Sequence, residues 1–219
     1  MRRPNDFYPT PAALTAVLLD LVPELAGSAV EPCAGDGAMA DALRRSGRLT
    51  GVQTNDILAG FGCTTTSDAR DPGAAVWQGA ADWVITNPPF TWANEILANA
   101  WAHAGKGVAM LLRLTFLEPT VARADLLQQL APFLSDMIVF GQPRPSFTDD
   151  RRTDSVTTAW LVWQKGWNQG ARVRFAVGWA DNCSRYPDEG RQAEERMTLA
   201  QMSPVALTGN VDEARRQSD

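Results

Sequence analysis

The chain has 219 residues with hydrophobic side chains at 45% of positions, which is enough for one domain with a substantial core. Its formal net charge of −5 excludes a protein whose whole surface attracts nucleic acid. No stretch approaches the roughly 20 apolar residues of a membrane span, and we expect no signal peptide. Three widely spaced cysteines favour a reducing, cytoplasmic compartment, and the single histidine, His103, excludes a two-histidine metal site.

Helical and extended patterns alternate along the chain. Thr10 and Pro11 match a helix N-cap followed by proline at the first helical position, and apolar residues then recur at helical spacing. A strict apolar alternation over residues 172–179 predicts an additional edge strand, with Val173, Phe175 and Val177 facing one way together with Trp179. Seven other strands are predicted over 29–33, 49–54, 63–66, 83–86, 108–113, 137–140 and 159–164, and helices from 11, after 37, from 92 and over 118–130.

This order predicts an α/β fold with a mostly parallel, seven-stranded sheet and helices on both faces. Residues 1–180 are interpreted as one domain. Residues 181–219 are polar and irregular, so we expect them to form a weakly ordered C-terminal tail.

A glycine-rich turn follows the first predicted strand. Gly35, Gly37 and Ala40 fit the pattern G-x-G-x-x-A between a strand and a helix, where glycines let the backbone approach a ligand. Asp56 comes 21 residues after Gly35, where a carboxylate can accept hydrogen bonds from a ribose. Glu31 precedes the turn and favours a cationic ligand over a diphosphate. A strand-to-helix turn of this kind can also form without any ligand.

The segment Asn87-Pro88-Pro89-Phe90 follows the strand that ends near Thr86. Ligands of open α/β sheets bind beyond the carboxyl ends of the strands, so this segment should share an edge with the glycine turn. The prolines hold the Asn87 side chain and the Pro88 carbonyl as two acceptors on a rigid support. These acceptors can grip the two hydrogens of an amine on a planar ring, and Phe90 can stack on that ring.

These two motifs, preceded by the segment Phe7–Pro11, resemble the S-adenosylmethionine (AdoMet)-dependent amino-methyltransferases. The motif order is similar to that of the gamma-type N6-adenine DNA methyltransferases, including small phage and bacterial members, over about Phe7 to Lys165. The resemblance implies a Rossmann-like class I methyltransferase fold, AdoMet as cofactor, and transfer of its methyl group to adenine N6 in DNA. It also implies residence in the cytoplasm of a bacterium or of a phage-infected host, with restriction-modification as one setting.

The resemblance implies a role for each motif residue. Asn87, Pro88, Pro89 and Phe90 would form the catalytic site. Residues 53–55 stand before Asp56, whereas many family members place an acid directly at the strand end, so the ribose contact could shift by a residue or two. The cofactor would be bordered by Tyr8, Thr10 and Pro11 at its methionine end, by Glu31, Ala34, Gly35 and Gly37 around its amino-acid part and ribose, by Asp56 at the ribose hydroxyls, and by Asp68 at its adenine amine.

A basic segment follows the predicted strand 137–140. Its residues Arg144 and Phe147 resemble the family segment whose aromatic side chain packs beside a flipped base, so Phe90 and Phe147 would enclose the adenine. Arg144, Arg151 and Arg152 could contact backbone phosphates in a salt-sensitive way. The alternative is a solvated loop with Phe147 in the core.

Other functions remain open at this point. The chain could methylate adenine in RNA. It could also methylate glutamine in a protein, but the glutamine enzymes carry a substrate-recognition domain before the glycine turn, and only about 30 residues precede it here. It could instead bind AdoMet or nucleic acid without transferring methyl groups, or use the glycine turn as an NAD-dependent oxidoreductase. The sequence does not distinguish DNA from RNA or adenine from cytosine, and it gives neither the target sequence nor the oligomeric state.

Overall fold

The computed structural model describes residues 10–141, 144–145 and 156–179. Within these ranges, helices and strands alternate as the sequence predicts. The helices are α1 (Ala12–Leu21), α2 (Ala38–Arg45), α3 (Ala93–His103) and α4 (Ala124–Leu130), and the strands are β1 (Gly27–Glu31), β2 (Leu49–Asp56), β3 (Thr65–Thr66), β4 (Ala81–Thr86), β5 (Ala104–Arg113), β6 (Leu134–Phe140), β7 (Thr158–Gln164) and β8 (Arg172–Ala176).

The described strands form one eight-stranded sheet in the order β3-β2-β1-β4-β5-β7-β6-β8. Strand β7 runs antiparallel to both of its neighbours, and the other pairs are parallel. The sheet is therefore mostly parallel, as expected, but the prediction of seven strands is wrong by one. The eighth strand, β8, is the additional edge strand predicted within 172–179, and it pairs with β6.

Both faces of the sheet are covered by helices, because successive side chains of a strand point to opposite faces. Ile85 of β4 belongs to a buried cluster with Leu14 of α1 and Leu43 of α2. Its neighbour Val84 belongs to a second buried cluster that contains Leu97 of α3. The predicted coverage of both faces is confirmed.

Strand β8 agrees with the predicted alternation at Val173 and Phe175, which lie on one side, but not at Trp179. Val173 and Phe175 are exposed, whereas Arg172 points to the buried carboxylate of Asp136, with Nε and Nη2 at 2.9 and 2.7 Å from its two oxygens. The strand ends at Ala176 and the chain turns, so Trp179 is buried in the first cluster instead of continuing the alternation. Burying an unpaired carboxylate is costly, so the contact with Asp136 accounts for the direction of the Arg172 side chain.

Two further boundaries differ from the prediction. The helix expected over 118–130 begins only at Ala124, since the Thr120 carbonyl closes a turn to the N–H groups of Arg123 and Ala124. Strand β2 continues to Asp56, two residues beyond the predicted end. This extension places Asp56 itself at the end of the strand.

Candidate active site at the carboxyl edge of the sheet

The sequence motifs meet at one edge because they follow neighbouring parallel strands. Strand β1 ends at Glu31, β2 ends at Asp56, and β4 ends immediately before Asn87. The pairing of β1 with both β2 and β4 fixes these ends side by side. The arrangement leaves the glycine turn and Asn87 on adjoining parts of the same edge.

The glycine turn is held open by the carboxylate of Asp56. The N–H of Gly35 donates to Oδ2 of Asp56 at 2.9 Å, and the N–H of Leu58 donates to Oδ1 at 2.9 Å. Gly35 and Gly37 adopt φ angles of 52° and 81°, a region that other residues enter only at a cost. A Cβ atom at Gly37 would meet nothing within 4 Å, so the turn faces open space.

We expect Asp56→Ala to destabilise the chain by about 1–3 kcal/mol, because two backbone N–H groups lose their acceptor. Asp56→Asn should recover part of this loss, since its amide oxygen can still accept one of the two hydrogen bonds. Chemical denaturation of the variants checks the prediction. Asp71→Ala is the matched control, because Asp71 also accepts a loop N–H, from Gly73 at 2.9 Å, but at an exposed position. Equal losses in the two alanine variants would contradict the role given to Asp56.

The Glu31 carboxyl group is buried beneath the glycine turn. Its side chain is only 2% exposed, and its Oε2 atom has no hydrogen-bond partner among the described residues. Burial, reinforced by the negative charge of Asp36, raises the pKa of Glu31 well above its ordinary value. A buried carboxyl oxygen without a donor can be satisfied by a cationic ligand group, which also restores the charged form.

Asn55 supports the turn and was missed by the sequence analysis. This fully buried residue donates from Nδ2 to the carbonyls of Pro32 and Ser67, and its Oδ1 accepts from the hydroxyls of Thr65 and Ser67. It thereby ties the segment after β1 to the segment around β3. An asparagine directly after the predicted strand 49–54 was the only available signal.

The Asn87 side chain is oriented by Thr10, which lies 77 positions earlier in the chain. Its Nδ2 donates to Oγ1 of Thr10 at 3.0 Å, so the Oδ1 acceptor is turned away from Thr10. The Pro89 carbonyl accepts from the N–H of Trp92 at 2.9 Å, whereas the described residues place no donor on the Pro88 carbonyl. Asn87 Oδ1 and the Pro88 carbonyl are thus the two acceptors that the segment offers to a ligand.

Thr10 is not the helix N-cap that the sequence predicts. Helix α1 begins at Ala12, its cap residue is Pro11, and no side chain caps it. The Pro11 carbonyl accepts the first helical hydrogen bond, from the N–H of Leu14 at 2.9 Å. Thr10 is buried, and its hydroxyl accepts a hydrogen bond from Asn87 Nδ2 instead of capping the helix.

Phe90 and Trp92 lie on a short 3₁₀ turn after the prolines, and each ring is covered by a guanidinium group. Arg113 Cζ lies 4.7 Å from the Phe90 ring centroid, and Arg70 Cζ lies 4.4 Å from the Trp92 ring centroid. Such contacts stabilise by about 0.5–2 kcal/mol, depending on exposure. Neither arginine was identified from the sequence, because Arg113 ends β5, Arg70 lies in the loop after β3, and neither belongs to a motif.

Asp68, the residue assigned to the cofactor's adenine amine, is engaged by Arg70 in this structure. Arg70 Nε lies 2.8 and 2.9 Å from the two carboxylate oxygens of Asp68, and the Arg70 N–H donates to the same group at 2.9 Å. These hydrogen bonds lower the pKa of Asp68. An amine that binds Asp68 must therefore share or replace the Arg70 contact.

The remaining candidates lie at or beyond the limits of the described chain. Tyr8, Phe147, Arg151 and Arg152, and the predicted tail, fall outside the described residues. Arg144 is half-buried and follows β6, whose carboxyl end lies at the same edge as Asn87. Across residues 10–141, 144–145 and 156–179, no group of three His, Cys, Asp or Glu side chains could hold a metal ion. No helix within those ranges is long and apolar enough to cross a membrane.

No protein-family model matches the chain, and no curated protein matches it. Solved structures are similar in fold. A putative class I S-adenosylmethionine-dependent methyltransferase from Listeria monocytogenes aligns with a TM-score of 0.53 and 9% identity over 88% of this chain and 72% of its own. A type I restriction-modification methyltransferase subunit from Streptococcus thermophilus aligns with a TM-score of 0.53 and 14% identity over 84% of this chain and 53% of its own. A putative RNA methyltransferase from Pyrococcus horikoshii aligns with a TM-score of 0.53 and 14% identity over 74% of this chain and 90% of its own.

This chain spans about half the length of the restriction-modification subunit that it resembles. The identities are low, so the likeness concerns the arrangement of strands and helices. The three proteins share an α/β architecture and are described as methyltransferases. The chain therefore has the Rossmann-like fold of the class I methyltransferases.

Proposed function

We propose that the chain transfers the methyl group of AdoMet to the exocyclic N6 amine of adenine in DNA. The observation that carries this proposal is the hydrogen bond from Asn87 Nδ2 to Thr10 Oγ1 at 3.0 Å. It fixes the amide so that Oδ1 is the acceptor offered beside the Pro88 carbonyl. A pair of acceptors with an aromatic ring alongside suits an amine on a planar base.

The residues of the glycine turn suit AdoMet. Glu31 has a buried carboxyl oxygen without a hydrogen-bond donor, which the ammonium group of the cofactor would satisfy. The open space at Gly37 admits a ligand close to the backbone, and Asp56 stands at the strand end where a ribose would bind. When bound, AdoMet supplies a methyl group activated by a positively charged sulfur.

The catalytic contribution of the chain is to position the amine. Asn87 Oδ1 and the Pro88 carbonyl accept one amine hydrogen each, which draws the nitrogen lone pair out of conjugation with the ring. Phe90 supports the ring from its face, and Pro89 fixes the turn between these groups. The methylated amine loses its proton readily, so no strong base is needed. Positioning of this kind can supply about 7–11 kcal/mol of rate acceleration.

The test is transfer of tritiated methyl groups from AdoMet to duplex DNA, single-stranded DNA and RNA, with nucleoside analysis of each product. Label in N6-methyladenine from DNA is the expected result. Label in N4-methylcytosine would replace adenine with cytosine as the target. Absence of label in every polymer, with AdoMet still bound, would favour a binding protein that transfers no methyl group.

RNA is the second candidate polymer. The similar fold of a putative RNA methyltransferase, which covers 74% of this chain, favours it. The acceptor pair at Asn87 and Pro88 would bind an exocyclic amine, and adenine carries this amine in both DNA and RNA. The RNA arm of the same assay therefore decides between the two polymers.

Thr10→Val should reduce kcat about tenfold, because Asn87 loses the partner that sets its amide orientation. The affinity for AdoMet should change less than kcat, because the Thr10 hydroxyl is engaged by Asn87. Kinetics and calorimetry on the same preparation check the prediction. Thr15→Val is the matched control, since Thr15 is a buried threonine of α1 whose hydroxyl has no hydrogen-bond partner among the described residues. An equal fall in kcat in the control would show that any buried threonine of this region has the same effect, and the role given to Thr10 would be wrong.

A further inference from the structure

One face of the Phe90 ring is covered by a planar cation. Arg113, the last residue of β5, places its Cζ atom 4.7 Å from the ring centroid. Its backbone position is fixed by pairing with Thr158, the first residue of β7, and the next residue, Leu114, donates to the Thr157 carbonyl at 2.9 Å. The Arg113 side chain thus extends from a firmly paired part of the sheet edge.

The strand order places Arg113 on the side from which a substrate must come. The residues that suit the cofactor follow β1 and β2, and Asn87 follows β4. Strands β5 and β7 lie on the other side of β4. A displacement requires the entering amine opposite the leaving group, so the amine approaches Asn87 from the side of β5, where Arg113 covers Phe90.

We propose that Arg113 is a positioning residue that occupies the base-stacking face of Phe90 in the free protein and moves to a nucleic-acid phosphate when the target base takes its place. This inference rests on the proposed function. A guanidinium group and a purine are both planar and both stack on an aromatic face, so one can replace the other. The displaced guanidinium forms a bidentate, charge-assisted contact with phosphate.

The exchange also explains why a cation is suited to this position. An apolar side chain over Phe90 would need to be exposed to water when the base enters. A guanidinium group is stable in water and beside a phosphate, so its displacement creates no exposed apolar surface. The Phe90 ring in turn stays covered in both states.

The experiment compares the full chain with Arg113→Ala and Arg113→Lys, using short adenine-containing DNA and RNA oligonucleotides. Fluorescence polarisation measures oligonucleotide binding over a range of salt concentrations, independently of turnover, and kinetics separate KM from kcat. For Arg113→Ala we expect about tenfold weaker binding and a correspondingly raised KM, with a salt dependence reduced by about one phosphate contact. The affinity for AdoMet should stay close to wild type, and the thermal stability should fall only modestly, through loss of the Arg113 contact with Phe90.

Arg113→Lys should restore the salt dependence, because it keeps the charge, but not the full affinity, because an ammonium group contacts phosphate without the bidentate geometry. Arg45→Ala, which removes an exposed arginine of α2, controls for net charge. Wild-type behaviour of Arg113→Ala in both binding and KM, in a chain that binds oligonucleotides, would overturn the assignment of Arg113 alone. A wild-type chain that neither binds nor methylates any oligonucleotide would overturn the proposed function and this inference with it.

Discussion

Asn87→Ala is expected to reduce methyl transfer by at least about 10²–10³-fold, while the protein remains folded and binds AdoMet normally. The substitution removes one of the two acceptors that hold the amine, and loss of a single positioned hydrogen-bond partner in an active site typically lowers kcat by this factor. The AdoMet affinity should persist because Glu31 and the glycine turn lie on the neighbouring strand ends. Transfer of tritiated methyl groups measures the first quantity, and calorimetry measures the second.

The matched control for Asn87→Ala is Asn94→Ala. Asn94 lies in the first turn of α3, and its Nδ2 donates to the Ala122 carbonyl at 3.2 Å on the protein surface. This control should keep near wild-type activity. Loss of AdoMet binding in a folded Asn87→Ala protein would show that Asn87 holds the cofactor, and the proposed amine grip would then be wrong.

Glu31→Gln should weaken AdoMet binding about 10- to 100-fold, because a neutral amide replaces the carboxylate that pairs with the ammonium group. The same substitution should stabilise the chain without cofactor at neutral pH. Glu31 is 2% exposed and its Oε2 atom has no partner among the described residues, so ionisation of this group opposes folding. Calorimetry and thermal unfolding measure the two opposite effects.

The effect of Glu31 on the stability of the cofactor-free chain depends on pH. Burial raises the pKa of Glu31 in the folded chain above the value of 4.5 that applies when the group is solvated. A raised folded-state pKa means that its contribution to stability is complete below 4.5 and is lost as the pH rises through the folded value. The cofactor-free wild type should therefore lose stability over this window, and Glu31→Gln should lose less.

The control for this prediction is Glu95→Gln, which neutralises an exposed glutamate of α3. It should leave both the AdoMet affinity and the thermal stability at neutral pH close to wild type. If Glu31→Gln binds AdoMet as tightly as wild type, the buried carboxyl does not serve the cofactor, and its burial requires a different explanation.

The sequence predicted the parts of the fold that depend on local patterns. Apolar runs located the central strands, and the glycines at 35 and 37 located the turn between β1 and α2. The alternation placed Val173 and Phe175 on one side of β8 correctly. It did not show that this side is exposed, because the buried charge of Asp136, which Arg172 contacts, lies 36 residues earlier in the chain. No apolar periodicity contains information about a partner on another strand.

The candidate site shows the same division. Asn87 and the prolines were recognised as a contiguous motif, whereas the contact of Thr10 with Asn87 joins residues 77 positions apart. Arg113 was read only as the end of an apolar strand, and its stacking on Phe90 depends on how β4 and β5 align. Contacts of this kind arise from strand order and register, which single motifs do not specify.

The antiparallel direction of β7 has a consequence for how the edge near Asn87 can change. Strand β6 ends at the edge of the sheet that carries Asn87, and β7, being antiparallel to β6, begins at that edge. Phe140 and Thr158 therefore both stand at this edge, although they are far apart in the chain. Substitutions at these two strand ends can alter the edge without entering the parallel strands β1, β2 and β4, which end at the glycine turn and Asn87.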